Sequence, residues 1–412
     1  MLILLFFSIK KCYNQYSWVI LMKKTIRDYD LNGKRVIIRC DFNVPITDGK
    51  IDDDNRIRMS LDTINYAIDN NAKVILLSHL GKIKEESDKE KNSLEIVSVR
   101  LSELINRKVI FSHDTRSEEL TRLANNLKEK DVLLIENTRY EDLDGKKESS
   151  CDMELAKYWA SLGDIFINDA YGTCHRAHAS NVGIAKLLPN GLGFLVEKEV
   201  TKIDSVLNED THPFIIIMGG KKVSDKIPII KNLINKCDLL LIGGAMAFTF
   251  LKAKGYNVGN SIVDIDNISF CKDMLEKYSD KILLPIDIIN ENKENVKIED
   301  IKDDIGYDIG RGTIELYCDK LKNAKRIIVN GPMGMFEDKD YANGTRKIYE
   351  CITENNIKTI IGGGDSASSV KNLGFDGKFY HISTGGGATL EYLSGEILPG
   401  ISVIEDEEES LH

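Results

Sequence analysis

Residues 326–366 read RIIVNGPMGMFEDKDYANGTRKIYECITENNIKTIIGGGDS, and three segments inside this stretch already set the architecture. The apolar run RIIVN gives way to glycine and proline. A helical segment follows over 344–356, in which Ile348, Cys351 and Ile352 share one face while Glu, Lys and Asn occupy the rest. A second apolar run, KTIIG, then ends in glycines and Asp365. Neither run alternates apolar with polar residues, so each is expected to be buried on both faces, as strands of a parallel sheet are. Strand, helix and strand in this order make a right-handed βαβ unit.

The same unit recurs in both directions. One series of runs is RVIIRCDF (35–42), AKVILLSHLG (72–81), KVIFSHD (108–114), DVLLIENTRY (131–140) and DIFINDAYG (164–172). The other is PFIIIMGG (213–220), CDLLLIGGAM (237–246), KILLPIDIIN (281–290), the two runs above, and KFYHISTGGG (378–387). This many strands exceed one comfortable sheet of the type, and 412 residues exceed one ordinary core. Residues 173–212 carry no strong strand signal, and GLGFLVEKEVTKIDSVL at 191–207 reads as a connecting helix. The expected fold class is therefore α/β, with two doubly wound parallel sheets on either side of that helix.

Composition narrows the function. Lys and Arg total 55 against 65 Asp and Glu, a net charge of -10, which argues against general nucleic-acid binding. A local basic cluster can still dominate a cleft. The eight cysteines include no CxxC pair, and in so large a chain they read as reduced, mostly buried thiols in a reducing compartment. Near the start, LILLFF at 2–7 is too short for a membrane span of about 18 residues. Lys10 and Lys11 follow that run, whereas a signal peptide has its basic residues before it. Residues 1–21 read as an extension outside the core, with an ordinary start at Met22.

Open α/β sheets bind ligands beyond the carboxyl ends of their strands, and the two series end differently. The second ends in glycine loops: GGKKVSDK (219–226), GGAMAF (243–248), NGPMG (330–334), GGGDS (362–366) and STGGG (383–387). Glycine lets a backbone approach a ligand closely, and amides at a helix start bind anions. One such loop is unremarkable after a strand; five in one lobe point to a nucleotide or phosphate site. None is a GxxxxGK[ST] or a GxGxxG motif, so the site is of another design. Lys222 and Lys226, four apart, are expected on one face at a helix start, aimed at phosphate oxygens. Asp365 either caps the helix after its strand or binds Mg²⁺ together with nucleotide phosphates. The first series ends in Asp41, Asn43, Arg56, His79, Arg139 and Arg176, the set a small ligand with carboxylate and phosphate groups requires. His175 and His178 would share a helix face, but without further spaced ligands a structural role or substrate contact is preferred to a metal.

In order along residues 24–402, RCDFNVP, SHLGK, ENTRY, GTCHRAH, GGKKVSDKI, GGAMAFTFL, LPID, NGPMGMFE, GGGDSA, STGGGA and LPG (398–400) resemble the phosphoglycerate kinase family. The resemblance implies two Rossmann-like lobes joined by a hinge helix: an N-lobe over 22–190, the helix at 191–207, a C-lobe over 208–394, and a segment 395–412 returning towards the N-lobe. It implies reversible transfer of a phosphoryl group from 1,3-bisphosphoglycerate to ADP with Mg²⁺, giving 3-phosphoglycerate and ATP, in a cytoplasmic monomer with neither nucleic-acid nor membrane partner. Substrate positions carry over to Asp41, Asn43, Arg56, His79, Lys82, Arg139 and Arg176. Nucleotide positions carry over to Lys222, Lys226, Gly243, Gly244, Glu337, Gly362, Gly363, Gly364, Asp365 and Ser366, with Asp365 as the metal ligand. Arg56, Lys222 and Gly386 fall on catalytic positions, Gly386 within the turn for the transition-state anion. The chain departs from the pattern at Lys82, where the family usually has Arg, at Ala245 near the base pocket, and at Arg311, where Pro is expected. Two other readings are weaker. A nicotinamide-dependent dehydrogenase needs a GxGxxG after the first strand, and residues 39–49 have none. A non-catalytic binding protein on the same fold predicts loss of Arg56, Lys222 or Asp365, and all three are present.

Overall fold

The computed structural model describes residues 23–407. The extension at 1–21 and the last residues of the acidic tail lie outside them. The chain divides into two compact units. The first holds the residues through Thr201 and those from Ile397 onward; the second is Lys202–Glu396.

The first unit is built on six strands: β1 (Arg35–Arg39), β2 (Lys73–Leu77), β3 (Val109–Ser112), β4 (Val132–Ile135), β5 (Ile165–Asn168) and β6 (Asn190–Leu192). All pair in parallel, in the order β3-β4-β2-β1-β5-β6. Val36, Ile37 and Ile38 of β1 and Val74 to Leu77 of β2 are wholly buried, which explains their unbroken apolar runs. The short helix α1 (Asn55–Met59) follows β1. The segment read as one helix from 191 begins instead as the edge strand β6, and helix α2 spans Phe194–Leu207. Asn-Gly-Leu is a turn-like sequence whose strand character comes from pairing with β5 on one side and from the Thr25–Leu192 bridge on the other. The boundary between the units falls inside α2. Residues from 397 close on the first unit: Gly400 N–H donates to Cys174 O (2.8 Å), Asn168 Nδ2 to Gly400 O (2.8 Å), and Lys24 N–H to Glu405 O (2.8 Å).

The second unit contains β7 (Phe214–Met218), β8 (Leu239–Ile242), β9 (Ile282–Leu283), β10 (Asp287–Asn290), β11 (Asn295–Lys297), β12 (Gly306–Ile309), β13 (Arg326–Asn330), β14 (Lys358–Gly362) and β15 (His381–Ile382). Six form a parallel sheet, β9-β8-β7-β13-β14-β15. The run 281–290, read above as one strand, is two: Pro285 has no N–H for the ladder, and the chain leaves the parallel sheet there. β10 then joins a separate antiparallel sheet, β11-β10-β12, which the apolar runs did not announce. The helices used below are α3 (Ile227–Leu233), α4 (Met246–Ala253), α5 (Arg311–Leu321), α6 (Asn343–Glu354), α7 (Gly364–Leu373) and α8 (Gly387–Leu393).

The expectation that every cysteine is a free thiol is overturned. Cys318 on α5 and Cys351 on α6 are joined by a disulfide, their Cα atoms 5.7 Å apart. They are 33 residues apart in sequence, and only the packing of the two helices brings them together. Cys40, Cys151, Cys174, Cys237 and Cys271 are free, four of them buried. No helix among the described residues is long and apolar enough to cross a membrane.

Candidate active site

In the first unit the polar residues follow the carboxyl ends of four adjacent strands, β4, β2, β1 and β5. Asp41 and Asn43 leave β1, His79 leaves β2, Arg139 lies in the 3-10 turn Thr138–Asp142 after β4, and Arg176 follows β5. Arg56 Nη1 on α1 pairs with Asp41 Oδ2 at 2.7 Å. Burial would push Asp41 up, but the Arg56 and Arg39 charges beside it hold the carboxyl below its ordinary value. Asn43 Oδ1 accepts Gly81 N–H at 2.8 Å, tying the loop after β1 to the loop after β2. Arg139 is held by Asp142 Oδ2 (3.2 Å) and Ser149 Oγ (3.2 Å), while its buried Nε makes no hydrogen bond within the protein. Arg176 and Lys82 are exposed, and Arg176 Nε donates to His175 Nε2 at 3.1 Å.

Beneath this layer lie groups that the sequence reading did not single out. Arg39, the last residue of β1, is 1% exposed. Its Nε donates to Ser180 Oγ (2.8 Å), its Nη1 to Cys40 O, and its Nη2 lies 3.3 Å from His79 Nδ1. Glu148, 0% exposed, accepts the Ser180 N–H (2.9 Å) and hydroxyl (2.5 Å). Burial pushes its carboxyl up, against the pull of Arg39 and Ser180. A charged residue inside the apolar run RVIIR was the one signal available for Arg39. Burial, with the Arg39 and Arg139 charges nearby, drives His79 down to about 3, so it is neutral at pH 7. The same causes bring His178 to about 3. His175 and His178 are not on a common helix: the 3-10 turn ends at Thr173, and His178 instead caps the π-turn Ala179–Gly183. Among the described residues no group of three or more His, Cys, Asp or Glu side chains converges to hold a metal.

In the second unit the glycine loops after β7, β8 and β13 pack on one another. Gly219 N–H donates to Asn330 O (3.0 Å), Gly220 N–H to Pro332 O (3.0 Å), Gly244 N–H to Met333 O (2.8 Å) and Met246 N–H to Gly220 O (3.0 Å). Gly244 has φ 62°, and a Cβ there would lie 2.5 Å from Gly220 N. Gly243 and Gly244 therefore serve first to let three loops approach, and the resulting edge is almost pure backbone. The expected Lys222–Lys226 helix face does not form: α3 starts at Ile227, with Lys226 as its cap residue and Lys222 exposed in the preceding turn. Pro228 explains the difference, since it is tolerated in the first helical turn and would break a helix begun at 222. Lys226 Nζ bonds Asn330 Oδ1, and burial lowers its ammonium while Asp225 and Asp365 oppose the shift. Asn330, buried at the end of β13, also donates to Gly362 O at 2.9 Å and is the second group the sequence reading missed.

Gly362 ends β14, Gly363 is the cap residue of α7, and Gly364 and Asp365 open the helix. Asp365 is thus exposed in the first turn and does not cap it. Ser366 is buried and accepts the Gly331 N–H at 2.6 Å, which gives its hydroxyl a loop-holding bond. Glu337 is exposed on the loop after β13. Gly386, with φ 51°, is the cap residue of α8, and the turn before it is fixed by Ser383 Oγ against Thr389 Oγ1 at 2.5 Å. Ala245 is the cap residue of α4. Arg311 opens α5 where a proline is also accommodated, and its N–H donates to Asn295 Oδ1 at 2.8 Å.

The family model for phosphoglycerate kinase matches residues 26–396. The chain is 53% identical over 397 residues to a phosphoglycerate kinase of Fusobacterium nucleatum, covering 93% of this chain and 100% of the relative. It is 52% identical over 395 residues to one of Staphylococcus aureus, covering 93% and 99%. Among solved structures, the phosphoglycerate kinase of Coxiella burnetii superposes with a TM-score of 0.84 at 33% identity, covering 92% of this chain and 98% of that one. That of Pyrococcus horikoshii superposes with a TM-score of 0.80 at 31% identity over 92% and 98%. With two parallel sheets, a cationic edge on one and a glycine edge on the other, the chain belongs to the phosphoglycerate kinase family.

Proposed function

We propose that the chain moves a phosphoryl group between the acyl phosphate of 1,3-bisphosphoglycerate and ADP, by direct in-line transfer between the cationic edge of the first unit and the glycine edge of the second. The observation that carries the reading is the Arg56–Asp41 pair among Asn43, His79, Arg139 and Arg176 at the ends of four adjacent strands. Asp41 and Asn43 suit the hydroxyl of a glycerate, and Arg139, Arg176, Lys82 and His79 suit its anionic oxygens. The half-exposed Arg56, steered by Asp41, is the group we assign to the charge that develops on the moving phosphoryl.

On the other unit, Lys222, Lys226 and the amides at the starts of α7 and α8 are assigned to the nucleotide phosphates and, at Gly386, to the transferring group. Glu337, Gly243 and Gly244 are assigned to the nucleoside side, with Ser366 acting through the loop it holds. One exposed carboxylate at a helix start, Asp365, fits Mg²⁺, which takes one or two protein carboxylates and completes its shell with phosphates and water. Bound there with nucleotide, the ion would neutralise phosphate charge. No general base is needed, because a nucleotide phosphate oxygen is itself the nucleophile. Exclusion of water from the bound substrates would limit hydrolysis of the acyl phosphate. A cytoplasmic monomer is the accompanying proposal.

Calorimetric titrations separate the two half-sites. Arg139→Ala is expected to weaken 3-phosphoglycerate binding by roughly 10-fold or more, the loss of a charge-assisted contact, and to leave MgADP binding within about twofold. Asp365→Ala is expected to do the reverse. Weakening of both ligands by either change would contradict the assignment.

A further inference from the structure

We infer that Glu148, Ser180 and Arg39 form a hydrogen-bond relay that sets the tautomer of His79, fixing its proton on Nε2. The direction of each bond follows from what each group is able to do. The Ser180 hydroxyl donates to Glu148 Oε1 at 2.5 Å and so spends its proton there. Its lone pairs are then available to the Arg39 Nε–H at 2.8 Å. Arg39 donates at every nitrogen and accepts at none. With Nε on Ser180 and Nη1 on Cys40 O, the guanidinium is held in plane, and Nη2 faces His79 Nδ1 at 3.3 Å. That nitrogen must therefore present a lone pair, and in a neutral ring the proton sits on Nε2.

Burial makes the relay stiff. Arg39, Ser180 and Glu148 are each no more than 1% exposed, so no bulk water competes for their bonds. Glu148 also accepts the Ser180 N–H, and its own carbonyl accepts the Ala179 N–H at 2.9 Å, which pins the π-turn to the loop carrying the carboxylate. Burial and neighbouring cations keep the His79 ring neutral, the state in which a tautomer choice exists. The consequence rests on the reading of His79 as a substrate-binding residue: its Nε2–H becomes a donor available to an anionic oxygen of the glycerate. Glu148, Ser180 and Arg39 then act as positioning residues, because they touch the substrate only through His79.

The test uses the full chain labelled with nitrogen-15 at histidine, with His79 assigned from the spectrum of His79→Gln. At neutral pH the wild type should show a pyridine-like Nδ1 and a pyrrole-like Nε2. Ser180→Ala and Glu148→Gln should move His79 towards a tautomer mixture. In steady-state assays they should raise the KM for 3-phosphoglycerate by about 10-fold, with kcat and the KM for MgATP within about twofold. A pyrrole-like Nδ1 in the wild type overturns the relay whether or not the variants fold. Folded variants that keep the wild-type tautomer also overturn it. A tautomer shift with unchanged KM supports the relay and overturns instead the assignment of His79 to the substrate.

Discussion

Arg56 is free to turn towards a ligand because one bond, to Asp41, holds it and much of its side chain stays exposed. Arg56→Ala is expected to lower kcat by roughly 10³-fold, the scale of an arginine acting on a transferring phosphoryl group, with an unchanged circular dichroism spectrum. Lys82 offers the opposite experiment. Its ammonium is a point charge where a guanidinium would grip two oxygens, so Lys82→Arg should lower the KM for 3-phosphoglycerate several-fold, on the order of 1 kcal/mol. The residues assigned to the substrate could be singled out in the sequence because they follow strand ends, Arg56 on the short helix α1, where the fold presents side chains at the edge of the sheet. Arg39, Glu148 and Asn330 were not. They are buried beneath or beside the ligand positions, and their partners lie 141, 32 and 32 residues away in the chain.

Two elements of the second unit depend on carboxylates supplied from elsewhere. Asp287 at the start of β10 accepts the Gly312 N–H (2.8 Å), the Thr313 N–H (2.7 Å) and the Thr313 hydroxyl (2.6 Å), and so caps α5 from outside the helix. Asp287→Ala removes the carboxylate from the Gly312 and buried Thr313 N–H groups, leaving the Thr313 hydroxyl its bond to Asp287 O (3.1 Å), and should destabilise the fold by about 2 kcal/mol, read as a lower Tm in calorimetry. Asp308 on β12 accepts the Gly344 N–H in the first turn of α6 at 2.6 Å, and burial raises its carboxyl to about 7. The folded state keeps that proton up to about pH 7, whereas the unfolded chain releases it near its ordinary value of about 3.9. Stability therefore falls as pH rises between those values, because the folded state binds more protons there. Asp308→Asn, which mimics the neutral acid, should be close to wild type in Tm at about pH 4 and gain on it by about pH 8, with an upper limit of about 4 kcal/mol. A constant Tm difference across that range would contradict the assignment. The sequence showed the alternation of strand and helix and most strands of the two parallel sheets at this scale, since period and burial coincide. It did not show the split at Pro285, the β11-β10-β12 sheet or the Cys318–Cys351 bond, all of which depend on pairings between separate elements.

On the scale of the whole chain, each unit draws on residues far apart in sequence. Leu398, Ile401 and Ile404 are buried in the first unit, at 3%, 2% and 2% exposure. At about 1.5–3 kcal/mol each, they contribute an amount comparable with a domain's entire stability. Deletion from residue 397 should therefore lower the first unit's calorimetric transition by 10 °C or more, to the order expected from such a loss, and leave the transition of the second unit in place. Two series of strands, and hence two sheets, were evident from the apolar runs alone. The return of residues beyond 396 to the first unit rested on family resemblance, because a short helix and a few backbone bonds leave little periodic signal. The central claim is that the two edges serve one transfer reaction. The most direct measurement is ATP-dependent phosphorylation of 3-phosphoglycerate by the full chain with magnesium, coupled to NADH loss through added glyceraldehyde-phosphate dehydrogenase, beside Arg56→Ala. Steady turnover by the wild type that collapses in the variant is the expected result; a folded, magnesium-supplied wild type that turns over no faster than Arg56→Ala would contradict it.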